Sequence, residues 1–402
     1  MSIQKTIAID LRGLNYPYLT GINTYTLHFL WCLWNIVSVK PDYYRIIGIG
    51  LSVARRNVLS EKFPFFNQLF SQHISLRQYL PTIFTRSRSL ANGLFSLQQT
   101  YGFNLTNSAC FQPDILIQTQ PKALPRHPLT SRLLVFHDVF GILFPEFSSW
   151  KQHLIENRGI YKNLACDAGI IFANSFATAC DIQRLAPSAS EEIQWVYPAL
   201  PCWHFLSDNV STQPISTPLN HSSYFLVLSG AEARKNWHTI VKAFAEFCLK
   251  YPLLLEQKNI QLVFAGPQVS PSYLKSVRLL VARLKLKNVI FMGEIDEFQK
   301  STLLKNALAL VYPSLYEGFG FPILEAFAVQ TPVITSSVGS MPEIANSAAL
   351  LVHPLNIQEL CEAMAIAAEG GEGIQAQIQK GTNRAGQFSW GELQRKMQIA
   401  IS

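Results

Sequence analysis

Two glutamates and two glycines stand close together in the last third of the chain. Glu317 and Glu325 are separated by seven residues, and Gly318 and Gly320 follow the first of them. Because glycine has no Cβ, backbone N–H groups beside it can approach a phosphate closely, and carboxylates accept hydrogen bonds from hydroxyls. Gly318, Phe319 and Gly320 are therefore predicted to bind a phosphate, with ligand hydroxyls on the two carboxylates.

The elements around this segment support that prediction. Residues 307–312 form an apolar run typical of a buried strand, and a helical pattern follows over 322–329. In parallel sheets flanked by helices, ligands bind beyond the carboxyl ends of the strands, where helix N-termini point. We expect Glu325 to bind ribose hydroxyls and Glu317 to lie nearer a transferred sugar. The alternative is a tight glycine turn with Glu325 on a solvated helix face.

A second candidate site combines Arg234 and Lys235 in a loop between a strand and a helix. Two adjacent cations can neutralise a diphosphate, Arg with a planar fork and Lys with a point charge. We expect both to bind a diphosphate, and Gly230, after the preceding strand, to lie beside the nucleotide. Taken alone, a charged helix entry serves capping and solvation, and this alternative stays open.

Several sequence patterns of other enzyme classes are missing. The chain has no Asp-x-Asp, no metal-ligand spacing among its histidines, no Walker loop and no Gly-x-Gly-x-x-Gly after the first strand. We therefore expect no metal and no cofactor, and neither phosphoryl transfer nor hydride chemistry. The charge of a leaving group would be met by Arg234, Lys235 and backbone dipoles.

Short apolar runs separated by helix-like segments recur along the 402 residues. This alternation is typical of α/β domains with doubly wound parallel sheets. Residues 198–218, rich in Pro, Ser, Asn and Thr, interrupt it and are interpreted as a connection between domains. We predict an N-terminal domain over 1–205, a C-terminal domain over 206–385 and a helix over 386–402 that crosses back to the first domain.

The string from Tyr316 to Ala326 resembles the Glu-x7-Glu motif of family 4 retaining glycosyltransferases, and Arg234, Lys235 and Asn236 resemble that family's Arg-Lys-Asn element. The resemblance implies the GT-B fold, in which two Rossmann-like domains face each other across a cleft. It also implies metal-independent transfer of a hexosyl unit, with retention, from a nucleoside diphosphate sugar as co-substrate. The acceptor would be a hydroxyl of a glycan or of a lipid-linked saccharide, as in polysaccharide biosynthesis.

The N-terminal half adds two matches to this family. Gly21 lies in a segment similar to the first βα loop, where a glycine lets the backbone approach the donor diphosphate, although Asn23 replaces the usual second glycine. His137 and Asp138 are similar to a His-Asp element of mannosyltransferase-like members. The resemblance implies that His137 contacts the transferred sugar, that Asp138 orients the loop or binds acceptor, and that GDP-mannose is the favoured donor.

Three weaker candidates complete the predicted site. Asn174 and Ser175 end a predicted strand in the place of a serine that the family uses near the cleft, although Ser175 is equally suited to cap a helix. Glu343 lies in a segment that resembles a family element closing on the nucleotide base. Its alternative role is to cap the next helix.

Composition and the N-terminus predict where the protein works. No charged leader with an apolar core and a cleavage site opens the chain, and the apolar run over 27–39 is too short to span a membrane, so we expect a cytoplasmic protein. The net charge is +7, and arginines and aromatic residues alternate over 46–108. This segment would face an acceptor or the inner membrane surface, or else form aromatic cores with solvated arginines; no nucleic acid is expected.

Other functions remain open at this point. Enzymes with the same fold and motifs use UDP-glucose, UDP-linked amino sugars or deoxyhexose donors. A hydrolysing sugar-nucleotide epimerase would share the fold, and a non-catalytic partner would bind the same nucleotides. The two charged motifs point away from the epimerase and argue against the binding partner.

Overall fold

The computed structural model describes most of the chain, namely residues 5–15, 21–62, 66, 74–77, 113–120, 130–147, 169–200 and 223–402. Two compact units are present. The N-terminal unit comprises Met1–Ala199 together with Ser389–Ser402, and the C-terminal unit comprises Leu200–Phe388. The predicted boundary at 205/206 and most of the basic, aromatic segment over 46–108 lie outside the described residues.

The described part of the N-terminal unit contains one parallel sheet in the order β3-β2-β1-β4-β5-β6-β7. Its strands are rich in Ile, Leu and Val because a parallel sheet is covered on both faces. They are Lys5–Asp10 (β1), Tyr44–Ile49 (β2), Ile74–Arg77 (β3), Ile115–Gln118 (β4), Ser131–Phe136 (β5), Ile170–Ala173 (β6) and Ile193–Trp195 (β7).

The C-terminal unit repeats this winding in a six-stranded parallel sheet of order β10-β9-β8-β11-β12-β13. Its strands are Tyr224–Leu228 (β8), Gln261–Ala265 (β9), Val289–Gly293 (β10), Ala309–Tyr312 (β11), Val333–Ser336 (β12) and Leu350–Val352 (β13). In both sheets the order reverses beside the unit's first strand, which is the doubly wound arrangement. The predicted α/β fold class is confirmed.

Helices connect the strands of both units. The N-terminal unit has Gly21–Val39 (α1), Val53–Lys62 (α2), Phe140–Leu143 (α3) and Phe176–Leu185 (α4) in its described part. The C-terminal unit has Trp237–Lys250 (α5), Pro252–Gln257 (α6), Pro271–Arg283 (α7), Glu297–Asn306 (α8), Phe321–Ala328 (α9), Met341–Ala345 (α10), Ile357–Glu369 (α11) and Glu372–Ala385 (α12).

The last helix, Trp390–Ile401 (α13), packs on the N-terminal unit. The ring of Trp390 lies 4.5 Å from that of His28 and 6.1 Å from that of Trp31, both on α1. Lys5 Nζ at the start of β1 donates to Ile401 O at 2.9 Å. Aromatic packing and this hydrogen bond therefore join the end of the chain to its first strand and first helix.

The core of the C-terminal unit is aromatic on one face of the sheet. Phe225, Phe244 and Phe247 are fully buried, with ring centroids 5.6 to 6.5 Å apart. On the other face α12 packs closely on α9, because a Cβ at Gly381 would lie 2.5 Å from a ring carbon of Phe327. These contacts hold α5 and α9 in place, and the loops that precede both helices carry charged residues.

Candidate active site

The charged residues of the C-terminal unit meet where its strand order reverses. Arg234 and Lys235 follow β8, and Glu317 follows β11, the neighbour of β8 in the sheet. Leu315 N donates to Arg234 O at 2.8 Å and so ties the two loops together. Open α/β sheets bind ligands at this switch point, because adjacent loops diverge there and leave a crevice.

Glu317 bridges both predicted diphosphate-binding cations. Lys235 Nζ donates to Glu317 Oε1 at 2.6 Å, and Arg234 Nη1 donates to Glu317 Oε2 at 2.7 Å. The Glu317 residue is only 7% exposed, so this is a largely desolvated charge cluster. The alternative of a charged helix entry that merely faces solvent does not describe Arg234 and Lys235.

Two further side chains, which the sequence does not predict, complete the cluster. Arg234 Nε donates to Glu232 Oε2 at 2.9 Å, and Lys235 Nζ donates to the Tyr312 hydroxyl at 3.1 Å. Glu232 lies two residues before Arg234, and Tyr312 is the last residue of β11. Neither carries a signal at sequence level, because their roles depend on which way the two loops turn.

Electrostatics keep Glu317 ionised. Burial alone raises its pKa, but the charges of Arg234 and Lys235 outweigh burial and lower the pKa to about 2. Burial and the charge of Arg234 lower the pKa of Lys235, while Glu317 opposes that shift. A carboxyl group with so low a pKa cannot act as a general acid near neutral pH, but it can stabilise a positive charge.

Asn236 explains why this loop can turn directly into α5. Its backbone is left-handed, with φ 61°, and asparagine tolerates that conformation better than most residues. Its buried side-chain Nδ2 donates to Pro313 O at 3.0 Å and to Pro354 O at 2.5 Å. Asn236 thus anchors the cationic loop to the loops after β11 and β13.

The loop from Glu317 to Gly320 is held in place through hydrogen bonds to its backbone carbonyl groups. Ser340 Oγ lies 2.8 Å from the carbonyl oxygens of both Glu317 and Phe319. Gly320 has φ 111°, which L side chains rarely adopt, and it directly precedes α9. Gly318, Phe319 and Gly320 therefore stand at the N-terminus of a helix at the carboxyl edge of the sheet, as the sequence predicts. Their contact with a phosphate stays a prediction.

Glu325 lies one turn into α9 and does not sit on a solvated helix face. Its side chain is 10% exposed, and Lys300 Nζ from α8 donates to Glu325 Oε1 at 2.8 Å. Lys300 also pairs with Glu297 at 2.7 Å. No sequence pattern indicates Lys300, because it is 25 residues from its partner Glu325.

Gly230 and Glu343 lie elsewhere in the same unit. Gly230 follows β8, and a Cβ there would lie 2.7 Å from Val269 Cγ2, so the loop admits no larger residue without a shift of that side chain. Glu343 lies in the first turn of α10, and Arg384 Nη2 donates to its backbone oxygen at 2.8 Å. The predicted contacts of both residues with a nucleotide stay predictions.

In the N-terminal unit, His137 is buried at the end of β5. Its Nε2 lies 2.7 Å from the carbonyl oxygen of Thr119, and its ring lies 5.6 Å from that of Tyr25. Burial lowers the pKa of His137, although the Thr119 carbonyl and Asp138 oppose the shift. A neutral ring that donates from Nε2 to Thr119 presents Nδ1 as an acceptor.

Two further residues of the predicted site, Asp138 and Ser175, have hydrogen-bond partners within the N-terminal unit. Asp138 Oδ1 accepts from Phe140 N at 3.1 Å and so orients the loop into α3. Ser175 caps α4, accepting from Thr178 N at 3.0 Å, and buried Asn174 precedes it. Gly21 is the first residue of α1. Ligand contacts of these four residues stay predictions.

Neither a metal-binding cluster nor a membrane-spanning helix is found among the described residues. None of their His, Cys, Asp and Glu side chains form a group of three or more that could hold a metal ion. Within the same residues, no helix combines the length and the apolar character that a membrane crossing needs.

Solved structures share this architecture along almost the whole chain. The chain is similar to Anabaena Alr3699/HepE in complex with UDP and glucose, with TM-score 0.65, 16% identity and 99% of each chain covered. It is also similar to sucrose-phosphate synthase from Thermosynechococcus elongatus, with TM-score 0.63, 16% identity and 98% of each chain covered. At such identities the likeness shows the fold, which is the GT-B fold of glycosyltransferases.

Sequence comparison makes the assignment more specific. Residues 212–384 match the family Glycosyl transferases group 1, so the chain carries a glycosyltransferase domain of that group. It is 25% identical to O-antigen chain mannosyltransferase B of Escherichia coli, over 66% of this chain and 68% of the relative. It is 26% identical to O-antigen chain mannosyltransferase RfbU of Salmonella typhimurium, over 56% of this chain and 58% of the relative. The predicted resemblance to mannosyltransferase-like glycosyltransferases is confirmed.

Proposed function

We propose that this protein transfers a hexosyl unit, with mannose favoured, from a nucleoside diphosphate sugar to a hydroxyl of a glycan or lipid-linked saccharide. The observation that carries the proposal is the cluster of Arg234, Lys235 and Glu317 at the switch point of a group 1 glycosyltransferase domain. Breaking the bond between sugar and diphosphate leaves negative charge on the diphosphate. Two cations fixed beside that position stabilise the charge as it develops.

Arg234 and Lys235 would bind the donor diphosphate directly. Lys235 offers a point charge and Arg234 a planar fork, one arm of which already holds Glu232. Because these cations can meet the leaving-group charge, the reaction would need neither metal nor cofactor. Glu325 would accept hydrogen bonds from the ribose, and the backbone of Gly318 to Gly320 would approach a phosphate oxygen.

Glu317 would act as a charge stabiliser. Its pKa of about 2 keeps it a carboxylate, which suits support of an oxocarbenium-like sugar and not donation of a proton. Retention would then follow from front-face attack while the diphosphate, held by the cations, accepts the acceptor's proton. The protein would then act as the family 4 retaining enzymes do.

The relatives support the choice of sugar. Two O-antigen chain mannosyltransferases match more than half of this chain at 25% and 26% identity. GDP-mannose is therefore the first donor to test, with UDP-glucose, UDP-linked amino sugars and deoxyhexose donors as comparisons. The enzyme would act in the cytoplasm, and a lipid-linked acceptor would bring it to the inner face of the membrane.

A panel of nucleoside diphosphate sugars tests the proposal by thermal shift and then by turnover. The true donor, held at about 100 times its dissociation constant, should add roughly 2.7 kcal/mol to the stability. With a lipid-linked or free oligosaccharide acceptor in EDTA, the product should keep the donor's anomeric configuration by NMR. Conversion of the donor without acceptor would instead identify an epimerase, and binding with no turnover on any acceptor would identify a non-catalytic partner.

A further inference from the structure

Lys300 joins the two helices that flank the predicted nucleotide site. It lies one turn into α8, with its Nζ 2.8 Å from Glu325 Oε1 on α9 and 2.7 Å from Glu297 Oε2 on its own helix. Its side chain is 16% exposed and that of Glu325 is 10% exposed. A single ammonium group thus serves two carboxylates in a poorly solvated place.

Lys300 approaches from a well-fixed helix. Asp296 caps α8 in a reciprocal capping box, accepting from Gln299 N at 2.7 Å while Gln299 Oε1 accepts from Asp296 N at 3.1 Å. Leu303 and Leu304, which follow Lys300 on α8, are buried. The direction from which Lys300 reaches Glu325 is therefore set by the body of the unit and not by a surface loop.

The hydrogen bond from Lys300 limits the orientations in which the carboxylate oxygens of Glu325 can accept other hydrogen bonds. Lys300 takes Oε1, which fixes the rotamer of a side chain that otherwise has three rotatable bonds. Burial opposes the charge of Lys300, but Glu325 and Glu297 outweigh it and raise the lysine's pKa. Lys300 thus stays protonated over the whole physiological range and can keep donating to Glu325.

We infer that Lys300 is a positioning residue that holds Glu325 in the orientation needed to accept hydrogen bonds from the ribose hydroxyls of the donor nucleotide. This inference rests on the proposed function, which assigns Glu325 to the ribose. Lys300 itself does not touch the nucleotide. Its effect on affinity therefore exists only for ligands that carry ribose hydroxyls.

The test compares Lys300→Met with Lys305→Met. Lys305 is exposed in the last turn of the same helix, so its variant controls for the loss of one positive charge on α8. The probes are GDP and UDP, of which the one that the wild type binds more tightly is used, and the matching 2′,3′-dideoxynucleoside diphosphate. Isothermal titration gives the affinities of the wild type and of both variants for each of the two probes, and thermal unfolding checks that each variant is folded.

Lys300→Met should bind the ribonucleotide about tenfold more weakly than the wild type, the effect of a lost charge-assisted hydrogen bond, and the dideoxynucleotide equally well. Lys305→Met should match the wild type for both. Lys300→Met could retain the wild-type preference for the ribonucleotide, or bind both nucleotides more weakly to the same extent. Either result would show that Lys300 does not act through Glu325, and would overturn this inference without affecting the proposed function. If the wild type does not distinguish the two nucleotides, the ribose assignment within the proposed function fails, and the inference fails with it.

Discussion

Glu317 Oε1 lies 2.6 Å from Lys235 Nζ, and this ion pair connects loops that follow two neighbouring strands. The same carboxylate accepts from Arg234, so the protein supplies its own anion to the cations proposed to bind the donor diphosphate. A diphosphate at these cations would meet the negative charge of Glu317. On the proposed function, the carboxylate would therefore lower the affinity for the donor even as it supports the reaction.

Glu317→Gln should separate these two effects. Transfer should fall by about a hundredfold or more, because the charge that stabilises the sugar cation is lost. Affinity for the nucleoside diphosphate should rise by about tenfold, because a like charge close to the diphosphate is removed. Steady-state kinetics and isothermal titration measure the two quantities. Weaker nucleotide binding by this variant would show that Glu317 does not compete with the diphosphate.

Removing the cations should have the opposite effect on binding. Arg234→Ala and Lys235→Ala should each weaken nucleoside diphosphate binding by about tenfold to a hundredfold, since each removes a charge-assisted hydrogen bond. Lys242→Ala is the matched control, because Lys242 is an exposed lysine on α5. Affinity measured between low and high salt should fall steeply for the wild type and less for the two variants. Unchanged affinity in Arg234→Ala and Lys235→Ala would remove the basis of the proposed function.

Acid should destabilise the protein partly through Glu317. Its pKa is about 2 in the folded protein and near 4.5 in an unfolded chain, so the folded state binds this proton less readily. The stabilisation it provides is present above pH 4.5 and is lost as the pH falls towards 2. Urea unfolding at a series of pH values should show a shallower loss of stability over this window for Glu317→Gln. An unchanged slope would mean that the carboxyl is not held ionised by its neighbours.

Two glycines on α12 should respond in opposite directions to alanine. A Cβ at Gly381 would meet the buried ring of Phe327, and such overpacking costs about 1 to 3 kcal/mol. A Cβ at Gly373 would meet nothing within 4 Å, so the variant should gain up to about 1 kcal/mol of helix propensity. Thermal unfolding should therefore rank Gly373→Ala above the wild type and Gly381→Ala below it. The reverse order would show that α12 does not pack on α9 at this point.

The sequence predicts the strands other than β3, and the placement of Arg234, Lys235 and Glu317, because each follows an apolar run and parallel strands end at one edge of a sheet. It does not predict contacts that depend on the third dimension. The pair of Lys300 and Glu325 joins residues 25 apart, and Asn236 reaches Pro354 across 118 residues.

The type of a residue predicts only part of the contacts that it makes in the fold. Asn236 has a residue type that suits a left-handed turn, and this property is readable from the sequence. Its two carbonyl partners are not, because they belong to loops after other strands. Ser175 shows the opposite case: its residue type and position favour a helix cap as one of two roles, and the structure shows that cap.

The assignment of α13 to the N-terminal unit bears on how the protein is made. In the sequence, all of Leu200–Phe388 separates that helix from the rest of the unit on which it packs. A ribosome therefore finishes the entire C-terminal unit before it releases the residues that cover Trp31 and His28 on α1. The half of the protein that is synthesised first is the half that is completed last, and a nascent chain stalled after residue 388 would expose these side chains.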